Sequence, residues 1–99
     1  MQQRTIKSTH ASIQQGVAKA DGTLSISAQT LTFEPFNHER GLGPYTIERA
    51  KIVKVEKCTG TGGGILPITH SAIRVILDDN HSYEFILANS ELWLETLSN

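Results

Sequence analysis

The sequence predicts a mainly β fold, with about seven short antiparallel strands followed by one C-terminal helix. Three observations predict it. Short segments of alternating apolar and polar residues follow one another from residue 11 to residue 87, the period-two mark of half-buried strands. Between them stand turn-forming clusters such as Asp21-Gly22, Gly41 to Pro44 and Asp78 to Ser82, rich in residues that tolerate tight backbone angles. Only Glu91 to Leu97 changes to the three- and four-residue spacing of a helix.

Residues 1–9 are expected to form a flexible or loosely attached N-terminus. Residues 11–19 make a first strand that reverses at Asp21-Gly22, where glycine accepts positive φ. Leu24 and Ile26 alternate with Thr23, Ser25 and Ser27, and Leu31 and Phe33 alternate with Thr32 and Glu34. This pair reads as a hairpin with one buried face, stopped by Pro35, which cannot donate to a ladder. A loop over 37–44 leads to a short strand at Tyr45 and Ile47, and then to Ile52–Cys58, rich in β-branched residues.

The next two strands carry Ile73, Val75 and Leu77, then Tyr83, Phe85 and Leu87. Placing both apolar sets on one face predicts Leu77 opposite Tyr83, Val75 opposite Phe85 and Ile73 opposite Leu87. A three-residue loop, 79–81, then takes a left-handed position at Asn80 or His81. On the outer face Arg74 is expected opposite Ile86, and Ile76 opposite Glu84. The closing helix has Asn89 or Ser90 as N-cap and Glu91 in its first turn. Trp93, Leu94 and Leu97 form its apolar stripe. About two turns cannot persist alone in water, so this helix must lean on the sheet.

With 99 residues there is room for one domain, 1–99. Nine Lys and Arg against ten Asp and Glu give a net charge of −1, without the basic excess that phosphate neutralisation requires. Nucleic acid is therefore not an expected partner. A single cysteine excludes an internal disulfide. Met1 to Lys7 has no apolar core of a secretory signal, and no run approaches the roughly 18 apolar residues of a membrane span. The expectation is a soluble, cytoplasmic protein.

The strand order resembles a pleckstrin-homology-type barrel, and the motifs are similar to those of a GRAM-like domain of the small standalone bacterial type. The residues that carry the resemblance are Gly22 to Ser27, Leu31 to Pro35, Tyr45 to Ile47, Ile52 to Val55, Ile73 to Asp79, Tyr83 to Leu87 and Trp93. It spans about residues 10 to 98. The resemblance implies a barrel capped at one end by the C-terminal helix. Phosphoinositide-binding members of the superfamily share a basic cluster over their first two strands and the intervening loop. Here that region offers only Lys19, beside Asp21, so a multiply charged headgroup lacks its cation partners. Phosphoinositide membranes are therefore not expected partners.

Relatives of this fold that bind peptides add a ligand strand beside the fifth strand, in a groove against the C-terminal helix. The resemblance transfers that groove to Val53, Lys54, Val55, Glu56 and Cys58, facing Glu91, Leu94 and Glu95. The expected function is a non-enzymatic binding module for a protein or peptide. The alternative is a homodimer built on the fifth-strand edge or on the mixed face of Ile76 and Ile86.

Other features carry less chemistry. Thr59 to Gly64 lacks the Lys-Ser/Thr and following helix of a phosphate cradle and reads as a connector. Ile65 and Leu66 either form an exposed apolar tip or, the favoured reading, fold back over the barrel end. His10, His38, His70 and His81 have no metal-ligand spacing, and no cofactor or metal is expected. Cys58 has no assignable base and reads as a passive thiol. No carboxylate pair, triad or metal set is assembled. Lys51, Lys54 and Lys57 read as a solvated edge.

Overall fold

In the computed structural model the described residues are 5–16, 18–37, 41–61 and 69–98. They form a single seven-stranded antiparallel sheet and one C-terminal helix. The strands are β1 (Thr5–Gln15), β2 (Ala18–Ser27), β3 (Thr30–Pro35), β4 (Tyr45–Glu48), β5 (Ile52–Gly60), β6 (Thr69–Leu77) and β7 (Ser82–Leu87), followed by α1 (Ser90–Leu97). A single 3₁₀ turn, Arg49–Lys51, joins β4 to β5. The spatial order is β4-β3-β2-β1-β7-β6-β5, so β1 is central and β4 and β5 are the terminal strands.

The first hairpin differs from its sequence expectation. Residues 5–9 are not loosely attached: Thr5 to Thr9 continue β1 and pair with Leu24 to Ser27 of β2. The chain reverses after Gln15, which pairs with Ala18, with Gly16 at φ +60. Asp21-Gly22 therefore lies inside β2 rather than at a turn. Gly22 serves a close approach instead, because a Cβ there would lie 2.8 Å from both Phe33 Cζ and Pro35 Cα.

The β6–β7 register is also corrected, by two residues. Ile73 pairs with Phe85 and Val75 with Tyr83. A shift of two keeps every side chain on its face, so burial alone could not choose between the registers. The turn chooses. Leu77 N–H donates to His81 O (2.8 Å) and Asn80 N–H to Leu77 O (3.0 Å), with Asn80 at φ 72. The three-residue loop is thus 78–80, and Asp79 accepts the His81 main-chain N–H at 3.0 Å. On the outer face Arg74 now stands opposite Glu84, Ile76 opposite Ser82 and Ala72 opposite Ile86.

One core gathers the inward residues of both halves of the sheet, including Ile13, Leu24, Ile26, Leu31, Phe33, Ile73, Val75 and Phe85. Trp93 and Leu97 of α1 are buried in it, at 2% and 8% exposure. The helix starts at Asn89, whose left-handed conformation (φ 59) and carbonyl, rather than its side chain, begin the hydrogen-bonded turn. No helix among the described residues is long and apolar enough to cross a membrane.

Candidate functional site

β5 is hydrogen-bonded to β6 on one side only, and no strand among the described residues pairs with its other edge. Its ladder is irregular at both ends, between Ile52 and Lys54 and between Cys58 and Gly60. The first irregularity pushes Val53 out, leaving it 63% exposed. α1 packs against β5 and β6. Its N-terminal turn meets β5 through Lys57 Nζ and Glu91 Oε1 at 3.2 Å. Its C-terminal end, Leu97 and Ser98, lines a cleft of about 220 Å³ with Ile52, Val53, Lys54 and Val55. The helix therefore runs antiparallel to β5, and the cleft lies where its C-terminal end meets the first residues of the strand.

Alternation divides the residues expected in this groove. Lys57 reaches the helix, whereas its neighbour Glu56 pairs with Arg74 on the outer face (3.3 Å). Lys54 joins Glu56 there, at 3.4 Å. Glu56 and Cys58 thus turn away from α1, and Lys54 sends its ammonium to the outer face while still bordering the cleft at Leu97, a correction to the expected groove lining. Val55 is half-buried on the helix side, and Leu94 packs against the core. Glu91 and Glu95 are exposed on the helix. Ile65 and Leu66 lie outside the described residues, as do residues 62–64 of the glycine-rich connector, whose Thr59 and Gly60 belong to β5.

Each edge lysine has a carboxylate: Lys51 with Glu48 (3.9 Å), Lys54 with Glu56, and Lys57 with Glu91. The cations of the first hairpin are engaged too. Lys19 Nζ lies 3.4 Å from Asp21 Oδ1, and Lys7 Nζ sits 5.6 Å from the centre of the Trp93 ring, a cation–π distance.

Two arrangements were not foreseen from sequence. Arg49 ties the helix to the sheet, its guanidinium donating to Ser27 O (3.0 Å), Ala28 O (3.4 Å) and Thr96 O (3.1 Å). Gln14 is 4% exposed on the outer face. Its amide N–H groups donate to Thr59 O (3.0 Å) and Glu84 Oε1 (2.7 Å), and its oxygen accepts from Thr61 N–H (2.8 Å). Glu84 in turn binds Arg74 at 2.9 Å, and this hydrogen bond raises the Arg74 pKa. Burial, and then the Glu84 charge, push the nearby Cys58 thiol up to about 11. Cys58 is thus a protonated thiol at neutral pH, not a ready nucleophile.

The same outer face carries an open depression of about 560 Å³ whose lining includes His10, Ser12, Asp21, Phe36, Ser71 and Ile86. Phe36 is 63% exposed and meets His10 edge-on at 5.6 Å. His81, in the β6–β7 turn, is engaged by Asp79 at 2.9 Å. His70 belongs to β6, and His38 lies outside the described residues.

Fold and edge define a mainly β protein, a seven-stranded antiparallel sheet with a C-terminal helix beside one terminal strand. It is similar to a solved structure, the C-terminal domain of an unknown protein from Leishmania infantum, with a TM-score of 0.78 and 18% identity over 96% of this chain and 81% of that one. At that identity the likeness concerns the fold alone. No protein-family model and no curated protein matches the sequence.

Proposed function

We propose that the protein is a non-enzymatic binding module with a pleckstrin-homology-like, GRAM-like barrel that receives an extended peptide along β5. The observation that carries this reading is the position of β5: a terminal strand with one edge unpaired among the described residues, beside α1, with Val53 63% exposed at its start. An extended segment added there satisfies the strand's outward N–H and C=O groups, and its alternate side chains meet the groove. The barrel is supported by contacts between distant parts of the sheet. Phe33 of β3 meets Phe85 of β7 at 5.7 Å, and Tyr45 of β4 meets Tyr83 of β7 at 5.2 Å. β3 and β4 thus fold over β7, three or more strands away in the ladder. Phosphoinositide headgroups are disfavoured, because Lys7 and Lys19 are already engaged. The lone thiol of Cys58 suits a reducing, cytoplasmic setting.

The test is selection of binders from a displayed library of random peptides, followed by titration of the best peptide into isotopically labelled protein. Amide shifts and new exchange protection should cluster on Ile52–Gly60 and the facing turn of α1. Val53→Asp should weaken binding at least tenfold while leaving the fold intact. Shifts centred instead on the His10–Phe36 depression, or a library that yields no binder, would overturn the proposal.

A further inference from the structure

We infer that the β5 edge also pairs with itself: two copies join antiparallel about Val55 into a symmetric dimer that competes with peptide addition. This rests on the same reading of β5 as an open recognition edge and names its second occupant. A two-fold axis normal to the sheet sets each residue opposite one whose number sums with its own to a constant, and the central residue opposite itself. Between the two ladder irregularities the pairing of β5 with β6 is regular from Lys54 to Cys58. Charge then selects the register.

An axis at Lys54 brings two ammonium groups together, one at Lys57 does the same, one at Glu56 opposes two carboxylates, and one at Cys58 carries the pairing into the irregularity between Cys58 and Gly60. Like charges directly opposite one another destabilise a strand pair. An axis at Val55 sets valine against valine, and it places each Lys54 opposite Glu56 of the second copy, twice by symmetry. Lys54 and Glu56 already share the outer face, 3.4 Å apart within one chain, so neither side chain has to change face. The same register brings exposed Val53 over Lys57 of the second copy, whose methylene stem can cover it. A ladder this short gives a small contact of the weak, transient class. The association is therefore concentration-dependent and open to displacement.

Sedimentation velocity of the full chain across roughly 10–500 µM tests this. The wild type should pass from monomer to dimer. Lys54→Glu confronts two carboxylates at each crossing, and Glu56→Lys two ammonium groups; each should weaken association at least tenfold. An equimolar mixture of the two variants restores opposite charge at both crossings and should recover the dimer as a heterodimer. A wild type that stays monomeric throughout, or a Lys54→Glu variant that associates like wild type, overturns the inference. Failure of the mixture to associate overturns it as well, once circular dichroism shows both variants folded. If Glu56→Lys fails to fold beside Arg74, Lys54→Glu alone decides. A selected peptide should dissolve the dimer. Peptide binding on β5 by a strict monomer removes the dimer and leaves the proposed function standing, whereas a dimer that no library peptide dissociates does the reverse.

Discussion

Replacing Gln14 by leucine measures how strongly β1 is tied to the far end of β5. The substitution nearly preserves volume, so little cavity contribution enters. What disappears is the amide, with its bonds to Thr59 O, Glu84 Oε1 and Thr61 N–H at 3.0, 2.7 and 2.8 Å. A neutral hydrogen bond contributes about 1 kcal/mol net and one to a charged group about 1.5–3 kcal/mol. Thr61 is only half-buried, so water replaces part of the loss, and a destabilisation of about 2–3 kcal/mol is expected. In a domain whose total stability is of order 5–15 kcal/mol, that is a large fraction. At roughly 4–8 °C per kcal/mol for a domain of this size, Tm should fall by about 10–20 °C. Gln15→Leu, one residue on and exposed, is the control and should cost less than about 0.5 kcal/mol. The assay is paired urea and thermal unfolding of both variants, with exchange of the Thr61 amide as a local readout. A Gln14→Leu loss no greater than that of Gln15→Leu would refute the reasoning. It would mean that water satisfies these groups as well as the side chain does.

Two further outcomes follow from the outer face and the helix clamp. Arg49→Ala removes the donors to Ser27, Ala28 and Thr96 carbonyls; it should cost about 1.5–3 kcal/mol and shift Trp93 emission to the red as α1 loosens, and unchanged emission and stability would argue against the clamp. Arg49→Lys should recover little, because one ammonium cannot span the fork. Cys58, with its thiol raised to about 11, should react with iodoacetamide at pH 8 roughly a hundredfold more slowly than an ordinary thiol of pKa about 8.5. Its rate should keep rising with pH up to about 11, and a plateau near pH 9 would contradict the burial and Glu84 effect.

Strand and helix existence was legible because alternation reports burial directly, and burial is what the sheet and α1 are built on. Glycine was not legible in the same way. Its sequence signature is identical whether it supplies positive φ, as at Gly16, or merely lacks a Cβ, as at Gly22. Asp21-Gly22 accordingly read as a turn while the chain reversed earlier. The β6–β7 register failed for a related reason: two registers differing by two residues bury the same faces, and the turn, with its Leu77–His81 and Asn80–Leu77 hydrogen bonds, separates them.

The same parity argument bears on the candidate site. An edge strand offers two faces as well as its backbone, and a sequence that names Val53, Lys54, Val55 and Glu56 together merges them. In the structure Val55 and Lys57 address the helix while Lys54 and Glu56 stand on the opposite face. Gln14 escaped notice because a polar residue at an outward position reads as solvated until Thr59 and Thr61 are seen to cover it. Edge charges that oppose ladder formation with a lysine-bearing strand invite it with one of complementary pattern. Lys54 and Glu56, two apart around a valine, are complementary to their own reversed copy. The residues that guard this edge against indiscriminate pairing are thus the ones that specify which strand it accepts.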